Sequence, residues 1–378
     1  MRTRTLLLVG LIGWLPLVVS AQQPAKQAKA KNKANEIRPP DDAARRIIDD
    51  KAARLKAALD QLRGKRIADD VLAEVEIYAK AVEWVSRHNE WFGDTAKWTA
   101  AVLDDGLKRA EQLGTANEAA WRKTTGKSVV RAYRSKIDGS VQPYAITAPA
   151  DYGKDPSKLW RLDVVLHGRD ATLTEVKFLN AFRGKAAPAD QDFIQLDIYG
   201  RGNNAYRWAG EEDVFEAMNA YMTTEREARG RYTYDGHRLV LRGFSMGGAG
   251  AWHLGLHHPD WWSVIGPGAG FTTTRGYVRD LPNPLPSYVE KCLHIYDAVD
   301  YAENAAMVPV VAYAGANDPQ LQAAKNIEAR LKPLDIPMTL LIAPDTEHRL
   351  TPEYAKKAEA EYAKYAGPGK GRPFYPER

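Results

Sequence analysis

The stretch of residues 239–252, which reads LVLRGFSMGGAGAW, decides the fold. Its apolar start predicts a buried strand, and the alanines, glycines and Trp252 at its end predict a helix. Between them, Ser245 lies in a Gly-x-Ser-x-Gly turn. Such a turn holds the serine in a strained conformation, and a Cβ at Gly243 or Gly247 would collide with the neighbouring strand or helix. The five-residue pattern arises by chance about one time in ten in a chain of this length, so the remaining sequence must supply the context.

The composition is that of a globular protein. The 378 residues are 44% hydrophobic and 10% aromatic, so the chain can bury one large core and a smaller appended one. Cys292 is the one cysteine, which excludes an intrachain disulfide and predicts a buried structural thiol.

The N-terminus carries the pattern of a secretory signal peptide. Two arginines precede an apolar run over residues 6–19, and small residues end at Ala21. The pattern predicts a signal peptide over residues 1–21 and a secreted or periplasmic protein, cleaved after Ala21. An uncleaved membrane anchor is the alternative, but the run is shorter than the ~20 residues of a spanning helix and Pro16 interrupts it. We therefore expect no stable membrane insertion after cleavage.

The positive charge of the chain is concentrated near its N-terminus. The formal net charge is +5, of which residues 22–38 contribute +4, and residues 39–378 carry −1. The Ala/Lys/Gln-rich tract over residues 22–40 is predicted to be a disordered basic linker, with weak attraction to an anionic envelope as the alternative. Nucleic-acid binding is not expected, because it would require a basic patch on the folded part.

Three amphipathic helices are predicted over residues 41–120. Apolar residues recur at alternating spacings of four and three from Ile48 to Leu62 and from Val71 to Val85, and a third run extends from about Asp94 to Leu113. These runs predict a small helical module, in which the sequence identifies no site.

From Ser128 onwards the apolar pattern becomes that of alternating strands and helices. Asp138-Gly139 predicts a hairpin turn at the start. The predicted strands are 160–166, 192–199, 238–243, 262–266, 308–314 and 338–343; the predicted helices are 172–183, 211–228, 246–258, 319–331 and 351–365. Apolar strands separated by helices of this length indicate an α/β domain over residues 125–378, with a mostly parallel sheet covered on both faces.

A serine hydroxyl needs a base to take its proton and an acid to orient that base. Asp318 follows the predicted strand 308–314, and His348 follows the next strand, so both lie at the sheet edge to which Ser245 is assigned. The sequence therefore predicts a catalytic triad of Ser245, Asp318 and His348.

Other carboxylates near this edge are weaker candidates for the acid. Asp345 and Glu347 are too close to His348 in sequence, and Asp297 and Asp300 lie on a segment that leads into a helix.

Neither a metal nor a cofactor is expected. His88 has no companion His or Cys at ligand spacing. His253 and His257 are four residues apart on a predicted helix, but Leu254 stands where a zinc peptidase would have glutamate, so they are interpreted as packing or surface residues. No Gly-rich phosphate loop is present in the sequence.

Two backbone amides are predicted to stabilise a developing negative charge. The strand 160–166 is followed by His167-Gly168, a turn that supplies one such donor through the amide of Arg169, and the amide of Met246 supplies the other. An ordinary strand-end turn is the alternative for His167-Gly168.

The loop after strand 192–199 is a candidate substrate-binding segment. Its polar and aromatic residues, which include Arg201, Asn203, Tyr206 and Trp208, suit a sugar or a carboxylate. A packed surface loop is the equal alternative.

These motifs together resemble a known family. Residues 145–365 are similar to secreted α/β-hydrolases akin to the prolyl oligopeptidase catalytic domain and to polysaccharide-side-chain esterases. The resemblance rests on the motifs at residues 166–168, 243–248, 258–260 and 314–319 and on His348. It implies an α/β-hydrolase fold with a Ser-Asp-His triad.

The region before this segment departs from the family's peptidases. Those members usually carry a β-propeller there, whereas this chain has the helical module. We therefore expect an exported serine hydrolase that acts through an acyl-enzyme on a carboxylic ester, with a small-molecule or saccharide-ester substrate. A peptidase acting on peptide bonds is the first alternative, and a catalytically silent binding protein is the second. The sequence leaves the oligomeric state open.

Overall fold

Eight strands of the described residues form one sheet around the predicted nucleophile turn. They are β1 (Ser128–Arg134), β2 (Val141–Thr147), β3 (Trp160–Leu166), β4 (Phe193–Ile198), β5 (Tyr234–Phe244), β6 (Val264–Gly268), β7 (Val311–Gly315) and β8 (Thr339–Ala343). Their order is β1-β2-β4-β3-β5-β6-β7-β8. Strands β3 to β8 pair in parallel, and β1 and β2 are antiparallel at one edge.

The structure is a computed structural model that describes residues 35–116, 118–231, 233–278 and 280–372. The predicted signal peptide over residues 1–21 and residues 22–34 of the predicted linker lie outside this range. The end of that linker makes ordered contacts: Ile37 forms a β-bridge with Phe92, and the Arg38 N–H donates to the Trp91 carbonyl over 2.7 Å. The predicted disorder therefore does not extend to residue 40.

In the described part of the chain, ten α-helices accompany the sheet. They are α1 (Asp42–Arg63), α2 (Asp69–His88), α3 (Thr95–Ala116), α4 (Glu175–Ala181), α5 (Ala209–Arg229), α6 (Met246–His257), α7 (Thr274–Tyr277), α8 (Ser287–Leu293), α9 (Leu321–Leu331) and α10 (Pro352–Ala366). The α/β-hydrolase fold class is confirmed, and all of the predicted helices are present. The sequence did not predict α7 and α8, which are short and lack a long apolar period. Within the described residues, no helix has the length and apolar character needed to cross a membrane.

The two faces of the sheet bury different kinds of side chain. One face carries the main apolar core. Side chains of three neighbouring strands point into it, and they pack with Trp252 of α6; these are Leu162, Ile194 and Leu241. The opposite face holds a smaller apolar cluster with α10 and an ion network. In that network Asp163 is fully buried and accepts from both Arg161 and Arg242.

The helical module is joined to the sheet edge by a buried ion network. Helices α1–α3 share an apolar core with β1, β2 and α4. Glu74 of α2 is fully buried and pairs with Arg131 of β1 and with Arg122. Burial alone would raise the pKa of Glu74, but these arginines hold it below its usual value. Removal of one partner would leave a buried charge uncompensated, so this network holds the module in place.

The environment of Cys292 differs from the prediction. Cys292 lies on α8 and is exposed. Its helix carries no fully buried side chain, which explains why the usual preference of cysteine for the core does not apply.

Candidate active site

The turn between β5 and α6 forces the backbone of Ser245 into a rare conformation. Ser245 has φ +60° and ψ −118°, directly before the first residue of α6. A Cβ on Gly243 would lie 2.4 Å from the carbonyl oxygen of Gly247, and one on Gly247 would lie 2.0 Å from that of Leu166. Both distances are far inside van der Waals contact, so the two flanking glycines are sterically required. The turn therefore presents the Ser245 hydroxyl at the carboxyl edge of the sheet.

The structure brings Ser245, His348 and Asp318 into one hydrogen-bonded chain. His348 Nε2 lies 2.8 Å from Ser245 Oγ, and His348 Nδ1 lies 2.8 Å from Asp318 Oδ2. Asp318 is buried, and its Oδ1 accepts the backbone N–H of Gln320 over 2.8 Å, which orients the carboxylate. The His348 side chain is 42% exposed, so solvent and substrate can reach it.

The loops after β7 and β8 fix the distance between the acid and the base. A Cβ on Gly315 would lie 2.1 Å from the Thr346 carbonyl oxygen, so the two loops meet backbone to backbone. The Asn317 N–H also donates to that oxygen over 2.9 Å. Phe244 packs its ring 5.0 Å from the imidazole of His348, measured between centroids, and limits its rotation.

Two of the rival carboxylates have other partners. Asp297 accepts from the backbone N–H and the hydroxyl of Thr274. Asp300 pairs with His294. Among the carboxylates that the sequence analysis compared, Asp318 is the one that contacts His348 in the described part of the chain.

The turn after β3 approaches the nucleophile closely. A Cβ on Gly168 would lie 3.6 Å from Ser245 Cβ. The His167 N–H donates to the hydroxyl of Tyr206 over 2.6 Å, and the two ring nitrogens of His167 lie 2.9 Å from the carbonyl oxygens of Gly168 and Tyr199. These contacts hold the backbone that leads into Arg169 beside Ser245. Met246 is the first residue of α6, where amides have no partner within the helix.

The predicted substrate-binding residues divide into buried and exposed groups. Tyr206 is fully buried and supports the His167 turn, so it does not reach a substrate. Arg201 pairs with Asp138 and with the buried Asp213, which accounts for its charge.

The other two predicted residues lie nearer to solvent. Asn203 bonds to both backbone groups of Asp170 and thereby ties its loop to the β3–α4 loop. Trp208 is 67% exposed and is available to a ligand.

A cavity of about 530 Å³ lies between the sheet and α10 and extends to the turn after β3. Its walls include that turn, the residues before Ser245, the segment after His348 and one face of α10; among them are Gly168, Phe244, Leu350 and Tyr362.

The paired histidines of α6 are packed, as the sequence predicted. His253 is buried, and burial lowers its pKa to about 3, so it is neutral at physiological pH. Its Nε2 lies 3.2 Å from the Ala205 carbonyl oxygen. His257 packs against Tyr301, with 4.0 Å between ring centroids. No group of three or more His, Cys, Asp or Glu side chains suited to a metal ion occurs in the described ranges.

Comparison with known proteins supports the family resemblance. Residues 182–367 match a sequence model of the prolyl oligopeptidase family, which confirms the resemblance over this part of the chain. No curated protein matches the sequence significantly.

Several solved structures are similar in fold. A ferulic acid esterase is 17% identical with a TM-score of 0.44, over 64% of this chain and 97% of its own. The fluorophosphonate-binding serine hydrolase FphF of Staphylococcus aureus is 15% identical with a TM-score of 0.45, over 64% and 98%. Dipeptidyl peptidase 4 of Porphyromonas gingivalis is 16% identical with a TM-score of 0.47, over 63% of this chain and 35% of its own.

Replacement of Tyr206 by Phe should weaken the site through the His167 turn. The substitution removes the acceptor of a half-buried backbone N–H, which costs roughly 1–3 kcal/mol of unfolding free energy. The turn that holds the Arg169 amide should also shift, so we expect slower reaction of Ser245 with a fluorophosphonate at a temperature where the variant is fully folded. Urea unfolding and labelling kinetics measure the two effects.

Tyr221→Phe is the matched control, since Tyr221 is equally buried and its hydroxyl lies 3.2 Å from that of Tyr152, away from the turn. It should lower stability without slowing the labelling. Equal labelling rates for Tyr206→Phe and the wild type would show that Tyr206 has no influence on the site.

Proposed function

We propose that this serine hydrolase, whose residues 182–367 match the prolyl oligopeptidase family, is an exported enzyme that cleaves carboxylic esters through an acyl-enzyme. The observation that carries the proposal is the chain of two 2.8 Å contacts from Ser245 through His348 to Asp318. The fold holds all three side chains on different strand ends, so the chain of contacts needs no rearrangement before substrate binds.

In the first half of the proposed reaction, Ser245 Oγ attacks the ester carbonyl carbon while its proton passes to His348 Nε2. The new C–O bond places the negative charge on the former carbonyl oxygen, which the amides of Met246 and Arg169 stabilise. When the intermediate collapses, the bond between the acyl carbon and the alcohol oxygen breaks, and His348 gives its proton to the oxygen of the leaving alcohol. Asp318 keeps the Nδ1–H of His348 oriented and stabilises the imidazolium.

In the second half, water takes the place of the alcohol. His348 accepts a proton from the water as its oxygen attacks the acyl carbon, and the same two amides stabilise the second oxyanion. The bond to Ser245 Oγ then breaks, and the proton moves from His348 to the serine. The products are the alcohol and the carboxylic acid, and the enzyme returns to its starting state.

The helical module favours esters over peptide bonds as substrates. Its three helices pack against each other and against β1, β2 and α4, beside the first strands of the sheet. Strands β7 and β8, which lead to Asp318 and His348, lie on the other side of the sheet. The module thus leaves the ends of these two strands open, as a substrate attached to a soluble or polymeric alcohol requires. Cleavage of peptide bonds is the alternative that the family match retains.

Export is the second part of the proposal, and it rests on the sequence of residues 1–21. An apolar run preceded by arginines and followed by Ala21 is the pattern of a cleaved signal peptide. An esterase in the periplasm or outside the cell would meet polymeric substrates that do not enter the cytoplasm.

A fluorophosphonate should label Ser245 alone. Intact-mass and peptide mass spectrometry should show one adduct on the wild type and none on Ser245→Ala. In His348→Ala the adduct should form at least roughly 10³-fold more slowly. Asp318→Asn should slow labelling strongly because the imidazole loses its orienting carboxylate. The neighbouring Asp345→Asn is the matched control and should react like the wild type. Normal labelling of Asp318→Asn with slow labelling of Asp345→Asn would reassign the acid.

Aryl acetates and feruloyl esters should be turned over, and short peptide anilides should not. Because esters are intrinsically more reactive than amides, a higher rate on esters alone does not exclude a peptidase. The absolute kcat/KM on the peptide anilides therefore distinguishes an esterase from a peptidase. We expect kcat/KM on peptides below roughly 10² M⁻¹s⁻¹, under the 10⁴–10⁸ M⁻¹s⁻¹ usual for enzymes on their own substrates. A peptide value inside that range would identify the enzyme as a peptidase.

Full-length protein produced in an exporting bacterial host should begin at Gln22. Intact mass of the periplasmic or secreted fraction measures this directly. Protein that retains Met1 and stays in the cytoplasm would contradict export, and replacement of Ala21 by a large residue should block cleavage without affecting labelling of Ser245.

A further inference from the structure

Arg207 occupies a distinctive position at the catalytic edge. It lies on the loop between β4 and α5, directly after Tyr206, whose hydroxyl supports the oxyanion turn, and directly before Trp208. This loop begins at the carboxyl end of β4, where ligands bind in open α/β sheets.

The charge of Arg207 is poorly compensated by the protein. Among the described residues, its guanidinium makes one hydrogen bond, from Nη1 to the Thr274 hydroxyl over 3.1 Å, and the buried Nε has no partner. Asp297, the carboxylate that acts on the charge of Arg207, accepts hydrogen bonds from Thr274 instead. Burial therefore lowers the pKa of Arg207 below its usual value, although Asp297 opposes this. Arg201 on the same loop, in contrast, has two carboxylate partners.

Two aromatic rings flank the Arg207 guanidinium. Its Cζ lies 5.3 Å from the ring centroid of Phe271 and 5.4 Å from that of Tyr296. These rings pack beside the guanidinium and limit its contact with water, which strengthens its interaction with an anion.

A short path of backbone contacts connects this group to the nucleophile. The Ser245 N–H donates to the Gly268 carbonyl over 2.8 Å. A Cβ on Gly270 would lie 2.2 Å from the Ala249 N, so the loop after β6 touches the first turn of α6. Phe271 is the next residue of that loop, and it contacts Arg207. The guanidinium therefore borders the same catalytic edge as Ser245.

Trp208 shares the strained backbone of the catalytic serine. It has φ +56° and ψ −124°, against φ +60° and ψ −118° for Ser245, and each precedes the first residue of a helix. A side chain in this region costs roughly 1–3 kcal/mol and persists where the surroundings or a function require it. Here the backbone N–H of Trp208 donates to the Tyr296 hydroxyl over 2.8 Å, while the indole remains 67% exposed.

We propose that Arg207 binds a carboxylate of the substrate, that Trp208 stacks on an adjoining ring, and that the enzyme therefore prefers anionic esters. This inference rests on the proposed esterase function and names the class of its substrate. A planar guanidinium without a carboxylate of its own forms two parallel hydrogen bonds to such a group. An exposed indole beside it suits the face of a sugar or an aromatic ring.

Two matched pairs of esters test the inference. In the first pair the charge is on the acyl group, 4-nitrophenyl hemiglutarate against 4-nitrophenyl valerate; in the second it is on the alcohol, 4-acetoxybenzoate against its methyl ester. We expect the wild type to favour the anionic member of at least one pair by roughly tenfold or more in kcat/KM at low salt. Arg207→Gln should lower kcat/KM on that anionic ester by roughly 10- to 100-fold and change the neutral one by less than twofold.

Arg275→Gln is the matched control for charge. It removes the same charge from the neighbouring α7, where Arg275 pairs with Glu290 on the surface, and should leave the preference unchanged. Arg207→Lys keeps the charge without the planar fork and should retain a preference of a few-fold; it also decides the matter if Arg207→Gln does not fold.

The possible failures are distinguishable. A wild type that hydrolyses the neutral esters without preferring either anion overturns the role of Arg207 and leaves the esterase proposal intact. An unchanged preference in Arg207→Gln, or a preference in Arg207→Lys as strong as that of the wild type, has the same consequence. A wild type that hydrolyses none of the four esters instead overturns the proposed function itself.

Discussion

The close approach of backbone at the end of β3 and β5 is the constraint on which the site depends. A side chain on Gly247 would place its Cβ 2.0 Å from the Leu166 carbonyl oxygen, so the first turn of α6 can sit against β3 only because glycine stands there. That contact allows the chain to reverse within one residue and forces Ser245 to φ +60°. The half-buried serine and its close approach to the turn after β3 are thus two results of one steric condition.

The neighbouring strands extend this condition to the acid and the base. The carbonyl oxygen of Gly268, at the end of β6, accepts the Ser245 N–H. Strand β6 also pairs with β7, and the chain continues from β7 through Gly315 to Asp318. Because the contact at Gly315 is again backbone against backbone, side-chain motion contributes little to the spacing of the triad. Such rigidity is what electrostatic stabilisation of a transition state requires, since donors already in position need no reorganisation.

Local sequence patterns predicted most of the helices and strands, but they did not predict the contacts between them. The parallel sheet and the residues at its strand ends follow from apolar period and turn chemistry. Strand β6, in contrast, is two residues later than predicted, because it contains Pro267 and Gly268, which local propensity places outside a strand. Close packing against β5 overrides that propensity. Similarly, the partners of Arg201 are 63 and 12 residues away, so no local signal could show that its charge is already paired.

The loop of residues 199–208 stabilises the scaffold and, in our proposal, also binds the substrate. The left-handed conformation recurs along it, at Gly200, Arg201, Gly202, Ala205, Tyr206 and Trp208. This unusual backbone turns Arg201 and Tyr206 inward to the ion pairs and the oxyanion turn, and leaves Trp208 exposed to solvent. Residues that hold the reaction geometry are thereby separated, within ten positions, from those available to recognise a ligand. If Arg207 and Trp208 recognise the substrate as proposed, substitutions there change substrate preference and leave the arrangement of Ser245, His348 and Asp318 intact.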